Sequence, residues 1–303
     1  MSHTNNNNNN DSSVLHVAFY PWFALGHLTS FLRLANKLAE RGHKVTYFLP
    51  SKTQSKLASH NHYPNHLTFV PIVVPSVDGL PPGAETTNDV LAPARPLIMT
   101  AMDMTRDTIE AHLAQLKPNI VFYDFTYWMP ELGRKYGFKS VHYITAYISR
   151  YAYLAPYKKE GRLPSAADLM IRMKPHEAEL MAAVGKTPFG LGGLTLAERL
   201  GVSFLECDAI GVKTCKEMEG PYCEFMEKIY GKPVLVAGPM VPKPPSSKLD
   251  DYFDGWLKGF GEGSVIYCAL GSECTLELDQ FQDILLGLEL TGKFYMLVWL
   301  VFI

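Results

Sequence analysis

The 303-residue chain carries 28 basic and 30 acidic side chains for a formal net charge of −2, with 47% hydrophobic and 19% charged residues. That apolar share is enough for a large core, and the length suggests two compact units. A balance so close to neutral gives no long-range field to gather a polyanion, which excludes nucleic acid as an expected partner and leaves room only for a small local anion site.

Cys207, Cys215, Cys223, Cys268 and Cys274 form no C-x-x-C pair and lie at no zinc-like spacing from the histidines, so no metal site is expected and reduced thiols in a cytoplasmic protein are. Residues 1–13 are polar, with asparagine from Asn5 to Asn10, and read as a flexible tail rather than a secretory signal. At the other end Phe294 to Ile303 is almost wholly apolar. A membrane span needs ~20 such residues, so a buried strand is expected and no span. A chain that stops on a core strand lacks the neighbours such a strand needs, which predicts a truncated or altered end.

In chain order, Val14 to Tyr20 is a β-rich run broken by Pro21 and Gly26, and the apolar residues Phe31, Leu32, Ala35, Leu38 and Ala39 then fall on one face of a helix beginning at Leu28. Gly42 is placed to end that helix in a left-handed conformation, and Lys44 to Leu49 follows as a strand. The alternation returns with a strand at Leu67 to Val74, a long helix around Ile98 to Leu116, a strand at Asn119 to Tyr123, a helix near Trp128 to Tyr136 and a strand at Ser140 to Ile144. This pattern predicts an α/β fold with a parallel sheet covered on both faces. Leu154 to Leu194, rich in Pro and Gly, reads as loops and short helices.

Regular structure is expected again at Ala209 to Thr214, in a helix through Tyr222 to Ile229 and in a strand at Val234 to Val236. The Pro-rich run Gly238 to Ser247 is a stiff joint, and it divides the chain into a first domain, 14–238, a linker, 239–249, and a second unit, 250–303. That unit reads as one strand-helix-strand: helical residues at Tyr252 to Leu257, a strand at Ser264 to Ala269, an amphipathic helix at Leu278 to Leu290, and the terminal strand.

Ligands of open parallel sheets sit at the C-terminal ends of the strands. Two polar residues fall there: His27, in the loop after the first strand, and Asp124, directly after Asn119 to Tyr123. A hydroxyl is a poor nucleophile, so its transfer chemistry calls for a base working near neutral pH, which imidazole is; a carboxylate beside it would fix the tautomer and stabilise the imidazolium. The plainer alternatives are a helix-start histidine facing solvent and an aspartate capping the next helix. Trp22, Phe23, Phe125, Tyr127 and Trp128 are suited to stacking on a flat ligand, although core packing is the commoner fate of such residues.

The segment Pro21 to Lys37, PWFALGHLTSFLRLANK, with Leu38 to His43, resembles the N-terminus of plant UDP-glycosyltransferases. Val121 to Phe125 is similar to that family's strand bearing the acidic partner, and Lys213 to Tyr222 to a segment before its interdomain linker. Gly238-Pro239, Val241-Pro242 and Ser264 to Glu273 look most like the branch that adds a second sugar to flavonoid or anthocyanin glycosides. The resemblance implies a GT-B-like fold, with a Rossmann-like acceptor domain followed by the first strand-helix-strand of a Rossmann-like donor domain. It also implies His27 as base and Asp124 as its partner in an inverting, metal-free displacement on a UDP-sugar. A small phenolic or glycoside acceptor would be the second substrate, and no cofactor would be resident. It further implies donor contacts at Thr145 and at Gly271 and Ser272, where a strand-to-helix loop offers backbone N–H groups to the diphosphate.

The sequence departs from the family in lacking its Trp-Ala-Pro-Gln opening, His-Cys-Gly-Trp-Asn-Ser core and closing Asp-Gln, which in relatives hold most of the donor. An inactive remnant retaining an acceptor-binding domain is therefore the alternative to a transferase. A nucleotide-cofactor oxidoreductase is disfavoured: the first loop lacks G-x-G-x-x-G and the second strand ends Leu49-Pro50-Ser51 with no acidic residue for a ribose.

Overall fold

The computed structural model describes residues 14–154, 174–175, 179, 186–240, 248–271, 274 and 276–298. The tail 1–13, most of the stretch read as loops and short helices, residues 241–247 of the joint, Ser272 and the last residues of the terminal strand lie outside them.

Seven parallel strands make the main sheet: β1 (His16–Tyr20), β2 (Lys44–Pro50), β3 (Leu67–Ile72), β4 (Ile120–Tyr123), β5 (Lys139–Ile144), β6 (Ala209–Val212) and β7 (Val234–Val236), in the order β3-β2-β1-β4-β5-β6-β7. The central strands are buried along nearly their whole length because helices cover both faces, and this is why they read as unbroken apolar runs. The alternation of a strand then sends Val17 and Phe19 into one core and Ala18 and Tyr20 into the other. Phe19 stacks on Phe122 of the neighbouring strand with ring centroids 5.0 Å apart.

The helix α1 (Leu25–Glu40) packs Leu28, Phe31, Leu32, Ala35 and Ala39 on the Val17 side, the same apolar face that the spacing predicts. Gly42 ends it with φ +82°, as expected of a residue without a Cβ. The short helix α2 (Gln54–Leu57) follows β2. The other face is covered by α3 (Arg95–Met104), α4 (Arg106–Leu116), α5 (Met129–Tyr136), α6 (Ile148–Leu154), α7 (Leu196–Glu206) and α8 (Lys216–Tyr230). The expected single helix from Ile98 to Leu116 is two, parted at Thr105, whose buried hydroxyl lies 2.5 Å from that of Tyr20.

The expectation of regular structure resuming only at Ala209 is corrected by α7. Its signal was in the sequence: Thr195 and Glu198 form a reciprocal capping box, and Leu200 and Phe204 behind it pack in the core. The second unit comprises α9 (Asp251–Leu257), β8 (Val265–Ala269), α10 (Leu278–Leu290) and β9 (Phe294–Val298), with β8 and β9 paired in parallel. Contrary to expectation, the described part of the terminal strand is not buried. Phe294 is 60% and Val298 41% exposed, because among the described residues β9 pairs with β8 alone.

A buried polar chain runs under β4 and β5: the Tyr123 hydroxyl lies 2.8 Å from Ser203 Oγ, which lies 2.7 Å from His142 Nδ1. Burial, with a smaller contribution from nearby His27, pushes the His142 imidazole down from 6.5 to about 3. A depressed histidine favours the fold while neutral, so this stability is complete above pH 6.5 and is lost as pH falls from there toward 3. Urea midpoints for the parent and His142→Gln should therefore diverge on acidification, the parent losing about 2 kcal/mol more between pH 6.5 and about pH 5. Parallel acid limbs would place the acid sensitivity elsewhere.

Candidate active site

The strand order reverses between β1 and β4: the chain winds outward through β2 and β3 on one side and through β5 to β7 on the other. At such a switch point the loops after the two central strands part and leave a crevice at their C-terminal ends. Tyr20 is in register with Tyr123, so the residues that follow, Pro21 to Leu28 and Asp124 to Trp128, emerge side by side.

His27 was expected in the loop after β1; it is in the first turn of α1, which starts at Leu25. Ala24 supplies the N-cap in an extended conformation and accepts the backbone N–H groups of His27 and Leu28, both at 2.9 Å. Across the crevice, Asp124 Oδ2 lies 2.6 Å from His27 Nδ1, joining residues 97 apart in sequence. The Asp124 side chain is 3% exposed and the His27 side chain 24%. Asp124 does not cap the following helix. Its Oδ1 accepts the backbone N–H of Trp22 at 2.7 Å and of Phe125 at 2.9 Å, so two loop N–H groups and one side chain from the first turn of α1 hold the carboxylate.

With Nδ1 donating to the carboxylate, neutral His27 keeps its lone pair on Nε2, which has no hydrogen-bond partner among the described residues. Thr145, just beyond β5, brings its hydroxyl to 3.3 Å from the same Nδ1, so three of the five residues picked out from the sequence meet at one point. Gly271, after β8, has φ +85°, a conformation that suits glycine at a sharp turn. Ser272 lies outside the described residues.

Aromatic rings flank the histidine. Phe125 lies 5.4 Å from the His27 ring, centroid to centroid, and Trp22, Phe125 and Phe189 form a triangle with separations of 5.9, 5.4 and 6.0 Å. Trp22, Phe23 and Trp128 belong to the core, at 5%, 0% and 3% exposure, and Phe125, Tyr127 and Phe189 are the partly exposed rings packed against it. Sequence reasoning missed the polar pair behind this triangle. Asp103 of α3 and Arg199 of α7 form a buried ion pair, and the Arg199 guanidinium also lies 4.9 Å from the Tyr127 ring. Among the described residues no group of three or more His, Cys, Asp and Glu side chains is arranged to hold a metal ion. No described helix is long and apolar enough to cross a membrane.

The sheet order and the second strand-helix-strand give an α/β fold of the GT-B-like kind. Solved structures agree. Arabidopsis thaliana UGT89C1 complexed with quercetin superposes with a TM-score of 0.73 at 18% identity, covering 96% of this chain and 66% of that one. Glycyrrhiza uralensis UGT73P12 complexed with glycyrrhetinic acid 3-O-monoglucuronide gives 0.73 at 18% identity, covering 94% and 62%.

In sequence the chain is a homologue of plant UDP-glycosyltransferases. It is 50% identical over 295 residues to a cyanidin 3-O-galactoside 2''-O-xylosyltransferase of Actinidia chinensis var. chinensis, covering 93% of this chain and 64% of that one. It is 48% identical over 293 residues to an anthocyanidin 3-O-glucoside 2''-O-glucosyltransferase of Ipomoea nil, with the same coverage. The chain thus spans less than two thirds of the length of these relatives. No family model matches it.

Proposed function

We propose that this chain supplies the acceptor side and the catalytic base of a UDP-sugar-dependent glycosyltransferase acting on a hydroxyl of a flavonoid or anthocyanin glycoside. The observation that carries the reading is the 2.6 Å contact between His27 Nδ1 and Asp124 at the switch point. The identity to relatives named as anthocyanin glycoside transferases supports the substrate class.

In the proposed reaction His27 Nε2 takes the proton from the acceptor hydroxyl as its oxygen attacks the anomeric carbon of the donor. The glycosidic bond forms, the bond from sugar to UDP breaks, and UDP leaves with the electron pair. Asp124 keeps Nδ1 protonated and stabilises the imidazolium that results. Its three donors hold the carboxylate in place, so the ring need not search for its orientation. Residues 14–238 form the acceptor domain in this reading and 250–303 part of the donor domain, with Thr145 near the transferred sugar and Gly271 and Ser272 near the diphosphate. The displacement calls on no resident cofactor, since the UDP-sugar enters as co-substrate. The cytoplasm suits the five free thiols.

A single displacement inverts the anomeric centre. A fusion of this chain with the remaining length of the Actinidia relative, given an α-linked UDP-sugar and a cyanidin 3-O-glycoside, is therefore expected to yield a β-linked product by NMR. An α-linked product would contradict direct attack by an acceptor activated at His27.

A further inference from the structure

Arg199 is 0% exposed and Asp103 6%, although both are charged. Removing two charges from water costs so much that a buried ion pair is weak evidence of stability, and an apolar pair of similar volume often serves the fold as well. What this pair does besides attract is hold one short loop. Arg199 Nε donates to the carbonyl of Phe189, and its NH2 donates to the carbonyl of Leu191 at 3.2 Å. Asp103 Oδ2 accepts the Leu191 N–H at 2.8 Å, and Oδ1 accepts Trp128 Nε1 at 3.1 Å. The loop passes close over the pair at Gly190, where φ is +86° and a Cβ would collide with both the guanidinium and the carboxylate. The ring so placed is Phe189, which closes the triangle with Trp22 and Phe125, and Phe125 in turn lies against His27.

We infer that Asp103 and Arg199 are positioning residues: the pair holds Phe189 as a wall beside His27 and thereby sets the affinity for a flat phenolic acceptor. The inference rests on the acceptor reading proposed above. An aromatic wall binds a planar ligand well only if its ring is already in place, since a mobile ring must be ordered at the cost of affinity. The pair acts through backbone carbonyls and one N–H, so its effect is on where the wall stands, with no contact to the reacting atoms.

The test uses the whole chain and a flavonol 3-O-glucoside, with binding followed by tryptophan fluorescence. Arg199→Met keeps the volume and removes the donors, and Phe189→Ala removes the wall. Each is expected to weaken binding at least about tenfold. The double variant should be no weaker than the weaker single, because both changes remove the same element. Parent-like affinity in a folded Arg199→Met, or losses that add in the double variant, would overturn the inference. Should Arg199→Met fail to fold, Gly190→Ala displaces the loop with both charges retained, and the same tenfold loss is expected. A second readout is independent of acceptor binding. With 4-fluorophenylalanine at 189, the parent should give one dispersed fluorine resonance that moves to the unstructured position in Arg199→Met or Gly190→Ala. A resonance that stays in place overturns the clamp, whereas a moved resonance in a chain that binds no phenolic glycoside overturns the acceptor reading alone.

Discussion

In the fusion that restores the length of the relatives, His27→Ala is expected to lower kcat roughly 100- to 10,000-fold, the range over which a positioned general base contributes. The acceptor KM should change far less, because the aromatic triangle is untouched. Asp124→Asn should cost a comparable factor for a different reason. The amide would still accept from Trp22 and Phe125 through its oxygen but would turn its NH2 toward Nδ1, demanding the tautomer that carries its proton on Nε2. Initial rates of UDP release measure both. A His27→Ala enzyme as fast as its parent would remove the base from the mechanism.

The second large effect is on stability. Arg199→Ala leaves the Asp103 carboxylate buried with only Trp128 and Leu191 as donors, and it is expected to lower the unfolding free energy by about 3–5 kcal/mol in urea titrations. Arg199→Met leaves the same carboxylate uncompensated and should cost nearly as much, whereas replacing both partners with apolar residues, as in Asp103→Leu with Arg199→Met, should cost much less. The contrast between the single and the double replacement isolates the loss of charge compensation. A loss under about 1 kcal/mol in Arg199→Ala would mean that the pair behaves as a solvated surface contact.

The meeting of His27 and Asp124 was legible in the sequence because a parallel sheet makes position informative. Once β1 and β4 are read as neighbours about a switch point, the residues just past their C-terminal ends must lie side by side, and His27 and Asp124 are the imidazole and the carboxylate among them. What the sequence does not display is the partner of a polar residue on a helix. Arg199 interrupts an apolar face and reads as a solvent-facing position, and Asp103, 96 residues away, reads the same. Only the packing of α3 against the loop before α7 turns the two inward. The break at Thr105 was hidden for a related reason: helical periodicity runs on through it, and the buried hydroxyl contact made there is with Tyr20, far off in sequence. The exposure of β9 follows from its having β8 alone as a described neighbour, whereas an apolar run carries no record of how many neighbours flank it.

The central claim is that a carboxylate fixes the proton of one imidazole on Nδ1 and leaves Nε2 free to act. Long-range nitrogen–proton correlation spectra of the chain labelled with 15N-histidine, assigned by loss of the signal in His27→Ala and recorded at about pH 8, well above the ordinary histidine value, read this directly. The prediction is a neutral ring protonated at Nδ1, which reverts to the Nε2-protonated form in Asp124→Asn. A ring protonated at Nε2 in the parent chain would contradict it.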